Sequence, residues 1–572
     1  MKTRIICLVL VLIMCLGCFA GCLGSGDTNG GENNGGENNG GNNNNGGNNN
    51  GGNTNRPGIG EGEANWTEWW KDITYEQTSI KFKMTHCSNN QELSSGCERY
   101  LAGTTIDAGD IDSLVDERND NAYKNTNVTV VYDYFADNAS LYGFAKCIDH
   151  IFAEWTKGSS DAPDMYCNFM TDLLVSSLKG CFANLYSVEN GANYFDLSNP
   201  GYMSDLMSSL TLSQEKIYVV ASDYFLDLIR AFFVVPVNVS LFNSIAGDTI
   251  ADLNGDSKKD INDLFELVNN GDWTYDQLMS FCASVYQPAA DSTGGVSIND
   301  VLGFGLGNNG LPAAGLVYTS SVVIINKVWN ENAGKFDYSY PDNNQELYDL
   351  ANKVADLITS KGVMYVTNSD ASKISADTPL LGVRKKFITN EMLFGGIILV
   401  GSIEYPEYQD MKSQGGFGLV PVPVYKEGDK YLTQIHVVGR AGGISSKTTK
   451  FSQCSAFLQY QSSYSTDILN EYYDYNLAQA ATSSANDDLN GNVAMLQYIR
   501  SNVRTSFDKL FEDAIGFMYE NVDVESAANR YHTILASNGY NVRNMRDRYN
   551  ELVPTKKSAL AELVAGYANL PA

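Results

Sequence analysis

Val128-Thr-Val-Val-Tyr132, then Leu141, Phe144, Ala145, Ile148, Phe152 and Trp155, then Pro163-Asp-Met-Tyr-Cys-Asn168 decide the fold class of this chain. The first is a β-branched run suited to a buried parallel strand. The second repeats apolar residues at three- and four-residue spacing, the period of a helix, and Gly158 stops it. The third reads as a strand again, and Leu173, Leu174 and Leu178 follow on an amphipathic helix. Upstream, Ile80, Phe82 and Met84 alternate with polar residues, as in a half-buried strand. Strands and helices alternating at this rhythm build a parallel sheet with helices on its faces. Such sheets take their ligands outside the carboxyl ends of the strands, which places Tyr166, Asn168 and Phe169 near a cleft.

The 572 residues exceed what one hydrophobic core usually holds, so two domains or two lobes are expected. Hydrophobic residues at 43% and aromatics at 11% fit a well-buried body. A formal net charge of −28 excludes nucleic acid as a partner, because that binding rests on Lys and Arg neutralising phosphates. Beyond the opening βα units, Phe232-Phe-Val-Val-Pro-Val-Asn238 is an apolar strand interrupted by Pro236, which suits a crossing or edge strand. Phe387 to Val400 is a second candidate crossing. Gly418-Leu-Val-Pro-Val-Pro-Val424 and Gly439-Arg-Ala-Gly-Gly-Ile-Ser445 come next, and the chain after Lys450 is mostly helical. No internal repeat is present.

The N-terminus has the layout of an export signal: Lys2 and Arg4, an apolar run from Ile5 to Met14, then small residues. Phe19-Ala-Gly-Cys22 ends it, and this resembles a bacterial lipoprotein signal in which the Cys22 thiol carries the lipid. Phe19 departs from the commoner Leu, and Cys18 is a weaker alternative. The apolar run is shorter than the ~20 residues a bilayer span needs. The expectation is a chain on the outer face of the cytoplasmic membrane, held by a lipid. Residues 23 to about 63 are Gly and Asn with almost no apolar side chain, a composition that cannot offset its ordering entropy. They read as a flexible tether spanning roughly 35 Å, from ~5–6 Å times the square root of length. Trp66, Trp69 and Trp70 end it, either at a membrane interface or packed on the body.

Seven cysteines remain beyond Cys22, an odd number that cannot all pair within one molecule. Cys87 and Cys97 flank a polar loop and are a candidate bridge, whereas Cys147 and Cys167 read as buried free thiols. His86, His150, His436 and His532 form no metal-ligand pattern.

In its motifs the chain resembles the extracellular solute-binding proteins of ABC importers, specifically the carbohydrate-type family 1 lipoproteins common in clostridia. Asp116-Glu-Arg-Asn119 before Asn127-Val-Thr-Val130 resembles that family's first βα unit, and Pro163-Asp-Met165 its next strand. Val235-Pro-Val-Asn-Val-Ser-Leu-Phe-Asn243 resembles its crossing strand, and Trp273-Thr274 with Leu278 a helix start, here in inverted order. Gly303-Phe-Gly305, Phe387 to Phe394, Leu419-Val-Pro-Val-Pro423, Gly442-Gly-Ile-Ser445 and Met495 to Asp508 continue in family order. The resemblance implies a two-lobed, periplasmic-binding-protein-like α/β fold of type II, each lobe a sheet flanked by helices. Lobe one would take 74–237 and 393–446; lobe two would take 238–392 and 447–572. It implies a carbohydrate, an oligosaccharide by preference, held between the lobes by hinge closure and delivered to an ABC permease by a monomeric receptor. Sugar clefts set aromatic faces against ring C–H groups and amides or carboxylates against hydroxyls. The candidates by position are Tyr166, Asn168, Asp223, Tyr224, Asn308, Asn309, Tyr318 and Phe394. Each has a second reading as a core aromatic or a capping group.

Asp252-Leu-Asn254-Gly-Asp256-Ser-Lys258-Lys-Asp260-Ile-Asn-Asp263 is the sharpest local motif. Oxygen side chains fall at positions 1, 3, 5, 9 and 12, and Lys258 at position 7 offers its carbonyl, the spacing of a calcium loop. Ser257 replaces the usual Gly at position 6, and Asp263 replaces the bidentate Glu at position 12. The nearest lookalike is the loop of dockerin modules, which also ends in Asp; the other reading is an acidic turn capping a helix. A structural calcium is expected here.

No nucleophile elbow, HExxH or P-loop is present, and no carboxylate pair stands out as a glycosidase would require. A binding protein rather than an enzyme is expected. The alternatives are an extracellular carbohydrate-active enzyme, or a cellulosome-type protein docking through the calcium loop.

Overall fold

A computed structural model of the chain describes residues 69–84, 97–103, 110–135, 144–158, 161–187, 192–211, 216–290, 294–307, 315–411, 415–436, 439–478, 486–517 and 542–570. The signal, Cys22, the tether, Trp66, Cys87, Asn308 and Asn309 lie outside these residues.

Two sheets organise the body. The first has the order β13-β3-β1-β2, from β1 (Thr78–Met84), β2 (Val128–Tyr134), β3 (Met165–Phe169) and β13 (Arg440–Ile444). β1 pairs in parallel with β2 and with β3, and β13 closes the far edge antiparallel to β3. The helices Asp110–Thr126, Phe144–Trp155 and Met170–Leu178 connect and cover it, as the alternating periods predict. β3 is buried throughout, whereas in β2 only Val128 is buried and the residues after it alternate between exposed and half-buried. The difference follows from position: β3 lies inside the sheet and β2 at its edge.

The second sheet has the order β10-β4-β9-β5-β8, with β11 also pairing β4. Its strands are β4 (Phe233–Asn238), β5 (Leu302–Gly307), β8 (Val363–Val366), β9 (Met392–Phe394), β10 (Ile398–Leu399) and β11 (Phe417–Val420). β5 runs parallel to β8 and β9, while β4 is antiparallel to β9, β10 and β11. The chain therefore has the expected two-lobed α/β fold, each lobe a sheet flanked by helices. The hairpin of β6 (Asn326–Asn330) and β7 (Lys335–Ser339) projects from the second lobe. β12 (Thr433–Gln434), in the segment returning to the first lobe, pairs with β14 (Val503–Arg504).

The lobe boundaries drawn from sequence divide differently in the sheets. β4, β10 and β11 belong to the second sheet, and only β13 of the stretch 393–446 joins the first. The helices Phe451–Ser463 and Thr466–Ala478 pack on Asp110–Thr126 of the first lobe. An edge strand returning late in the chain carries its following helices with it.

β5, Leu302-Gly-Phe-Gly-Leu-Gly307, shows why small residues recur at every second position. A Cβ on Gly303 would sit 2.2 Å from the backbone Cα of Cys282 in the helix Tyr275–Val285. Only hydrogen at this position lets that helix reach the sheet. Trp69 and Trp70, the first described residues, pack against Tyr194, Tyr460 and Tyr464 of the first lobe. Cys181, Cys282 and Cys454 are buried free thiols, and Cys167 is buried within β3. Among the described residues, no helix is long and apolar enough to cross a membrane.

Candidate functional site

The carboxyl ends of β1, β2 and β3 in the first lobe, and of β5 and β8 in the second, are where an α/β protein of this type receives a ligand. At the end of β3, Phe169 pairs in register with Arg440, the first residue of β13. The Arg440 guanidinium lies 5.5 Å from the centre of the Phe169 ring and donates through Nη1 to Asp227 Oδ2 at 2.6 Å. Asp227 Oδ1 accepts from Arg230 Nη1, also at 2.6 Å. Arg230 turns its other edge to Glu404, donating from Nε and Nη2 to the two carboxylate oxygens at 2.7 Å each. The Tyr472 hydroxyl also donates to Glu404, and the Tyr100 ring stands against Arg230.

This cluster is almost dry: Arg230 and Arg440 are 0% and 1% exposed, and Asp227 is 4% exposed. Burial alone would lower an arginine's affinity for its proton. The Glu404 and Asp227 carboxylates override that and hold Arg230 well above its ordinary value. Burial and the Glu404 charge together push the Tyr472 hydroxyl far up, so it stays a donor. Placement gives the cluster its meaning. Asp227 and Arg230 occupy the short helix Leu226–Arg230 immediately before β4, and Glu404 follows β10. The network fastens the carboxyl edge of the first sheet to the segment that enters the second at β4 and to the turn that follows β10.

The sequence candidates are placed as follows. Tyr166 is fully buried, its ring against Phe135 and Phe182 and its hydroxyl without a hydrogen-bond partner. Asn168 is buried and its Oδ1 accepts from the Phe169 N–H at 2.7 Å. Asp223 receives Arg500 Nε at 2.6 Å, and burial pushes its carboxyl up to about 6 against the pull of that guanidinium. Tyr224 lies under the Arg118 guanidinium at 4.8 Å and against Phe225 and Phe457. Tyr318 is buried beneath Lys509, and Phe394 packs on Trp273 and Phe281. Tyr224 and Phe394 thus hold core positions, and Asp223 holds an ion pair. A small hollow of about 40 Å³ lined by Lys81, Asp164, Lys447, Thr448 and Lys450 lies at the amino end of β3, away from the carboxyl ends.

Asp227, Arg230, Glu404 and Arg440 were not singled out from sequence. The signal was present in Leu226-Asp-Leu-Ile-Arg-Ala-Phe-Phe233, where two opposite charges three apart interrupt an apolar run. An ion pair inside such a run must find further partners to be buried.

In the loop 252–263, the Asp252 carboxylate accepts from the N–H groups of Gly255 and Ser257 at 2.7 and 3.0 Å. Asn254 accepts from Asp256, and Asp256 from Lys258, at 3.0 and 2.7 Å. Ser257 holds φ 68°, the left-handed backbone that Gly usually supplies at this position. Asp263 is buried and accepts from Leu253 and Asp260, while Asp260 caps the helix Ile261–Asn269. Among the described residues, no group of three or more His, Cys, Asp or Glu side chains stands close enough to hold a metal ion.

No family model and no curated protein matches the chain. Among solved structures, it is similar to the GacH receptor of Streptomyces glaucescens GLA.O, with 13% identity, 86% of this chain and 99% of that chain covered, and a TM-score of 0.44. The sugar-binding protein MalE from Xanthomonas citri covers 86% of this chain and 100% of its own, at 8% identity and a TM-score of 0.49. An extracellular solute-binding protein of family 1 from Alicyclobacillus acidocaldarius gives 10% identity, the same coverages and a TM-score of 0.45. The two-lobed fold is the one the chain's own sheets build, and solute-binding proteins are what it is similar to.

Proposed function

We propose that this chain is a lipid-anchored extracellular receptor that takes a carbohydrate between its two lobes and presents it to an ABC importer. The observation that carries the reading is the pair of α/β lobes joined through β4, β10 and the segment around β12, with the ion cluster at the carboxyl edge of the first sheet. A protein built this way works by changing the angle between its lobes, and binding rather than bond cleavage is its output. The motifs running from Asp116 to Asp508 in family order support a carbohydrate as the cargo.

Thermal melts of the full chain against a panel of mono- and oligosaccharides test this. A ligand that binds only the folded state stabilises it by RT ln(1 + [L]/Kd), about 2.7 kcal/mol at a hundredfold excess over Kd. The expected result is a raised melting temperature with one saccharide class and an unaltered saccharide afterwards. Cleaved glycan would replace the receptor with an enzyme, and a panel without any shift would remove carbohydrate as the ligand. The anchor is tested by Cys22→Ser, which should move the chain from the membrane fraction to the medium.

Calcium in the loop 252–263 is part of the same proposal, supported by the ligand spacing and by Ser257 holding the turn the loop needs. Millimolar calcium should raise the melting temperature of the wild type above that in chelator, and Asp256→Ala should abolish the difference. Identical melts with calcium and chelator would leave the loop as a capping turn only.

A further inference from the structure

The C-terminal helix, Val542–Ala568, is attached to both lobes. Near its start, Arg546 Nη2 donates to Gln345 Oε1 at 2.9 Å and its guanidinium covers the Tyr348 ring, both on the second-lobe helix Gln345–Thr359. The Tyr549 hydroxyl donates to the Pro341 carbonyl at 3.0 Å, and its ring stacks on Phe517. Near its end, the Tyr567 hydroxyl donates at 2.7 Å to the carbonyl of Leu174, on the first-lobe helix Met170–Leu178. Lys216 of the first lobe reaches the carbonyls of Ala568 and Leu570. Tyr549 and Tyr567 are about 27 Å apart along the axis, at ~1.5 Å per residue. One helix therefore contacts both lobes in addition to the segments that cross between them.

The chain leading to this helix grips both lobes as well. Phe507 lies 4.8 Å from Tyr338, and the Tyr340 hydroxyl donates to the Ile515 carbonyl at 2.9 Å, both tyrosines on the β6–β7 hairpin side. Arg504, on β14, pairs with Asp205 of the first lobe at 2.8 Å. The hairpin adds its own tie. Lys327 of β6 donates to the carbonyls of Ser208 (3.0 Å) and Thr211 at the end of the first-lobe helix Ser204–Leu210. A cation there meets the negative end of the helix dipole. Pro554 lies between the two attachments of the C-terminal helix, where its missing N–H removes one helical hydrogen bond.

We propose that residues 503–517 and the helix Val542–Ala568, with the β6–β7 hairpin, form a bracket that restrains the angle between the lobes before any ligand arrives. Tyr567, Lys216 and Lys327 are its grip on the first lobe. The bracket rests on the two-lobed fold and not on the identity of the cargo.

The test is a distance distribution in the full, ligand-free chain, with bioorthogonal spin labels at the exposed positions Lys124 of the first lobe and Asp356 of the second. The wild type should give one narrow peak. A triple variant, Lys216→Met, Lys327→Met and Tyr567→Phe, keeps the apolar bulk, removes the hydrogen bonds, and should at least double the width of that peak. Lys327→Met alone, a milder change, should broaden it by a smaller amount and serves if the triple variant does not fold. A broad wild-type distribution, or a folded variant whose peak matches wild type, would overturn the bracket. A glycan panel without a hit would leave these distances unchanged, so the two readings fail separately.

Discussion

Asp227→Ala should destabilise the chain by about 3–5 kcal/mol, the cost of removing one partner from a buried ion network. The alanine takes away the carboxylate that lies 2.6 Å from both Arg230 and Arg440. Arg230 keeps its bidentate contact with Glu404, but Arg440 loses its ion-pair partner in a place where water cannot replace it. Asp227→Asn retains one acceptor and the shape, and should cost less than the alanine. The double variant Asp227→Ala with Arg440→Met also removes the buried guanidinium that faced the lost carboxylate, and should be more stable than Asp227→Ala alone. Urea midpoints of the wild type and these three variants make the comparison. An Asp227→Ala midpoint equal to wild type would show that the cluster contributes nothing to stability.

How much of this was readable in advance depended on whether the information was local. The strand over Val128–Tyr134, the helix over Phe144–Trp155 and the strand around Met165–Phe169 follow from periodicity, and the structure has all three. Phe232 to Asn238 read as a crossing or edge strand because of Pro236. The structure places it inside the second sheet as β4, where Pro236 contributes only its carbonyl, accepting from the Gly395 N–H at 2.9 Å. Phe387 to Val400 read as one crossing. It is the end of a helix, then β9, then β10, because Gly395-Gly396 breaks the run. The Arg118-Asn119 pair has a physical reason that its pattern did not disclose. The Arg118 guanidinium and the Asn119 amide donate to the carbonyls of Tyr100 and Leu101, clamping the helix Asp110–Thr126 onto the preceding segment.

The ligand candidates were the weakest part, for a reason that lies in the residue types. A tyrosine facing a cleft and one filling a core occupy the same alternation along a strand or helix. Tyr224 and Phe394 fill cores, under Arg118 and against Trp273, and nothing within several residues of either announces it. Partners such as Glu404 for Arg230 and Asp223 for Arg500 are 174 and 277 positions away, so only the folded chain brings them together.

Trp273→Ala should cost about 3–5 kcal/mol, the range for removing a fully buried aromatic side chain. Trp273 is 0% exposed and packs against Phe281 and Phe394, with ring centres 6.2 and 5.4 Å away. It also holds the segment that returns from the second lobe. Its indole N–H donates to the Pro421 carbonyl at 2.9 Å, and its backbone N–H to the Tyr431 hydroxyl at 2.8 Å. Its own carbonyl accepts from the Val424 N–H at 3.1 Å. The next residue, Thr274, caps the helix Tyr275–Val285, accepting at Oγ1 from the Gln277 N–H. Two contributions can be separated by substitution. Trp273→Phe keeps an aromatic face toward Phe281 and Phe394 but leaves the Pro421 carbonyl without its donor, a change worth about 1–3 kcal/mol. Trp273→Ala loses the face as well and opens a cavity. Denaturation midpoints should therefore fall in the order wild type, Phe, Ala. If Phe and Ala are equally destabilised, the hydrogen bond to the returning segment carries the whole effect. If Phe matches wild type, packing carries it, and the joint between Pro421 and the helix start is held by the backbone contacts of Trp273 alone.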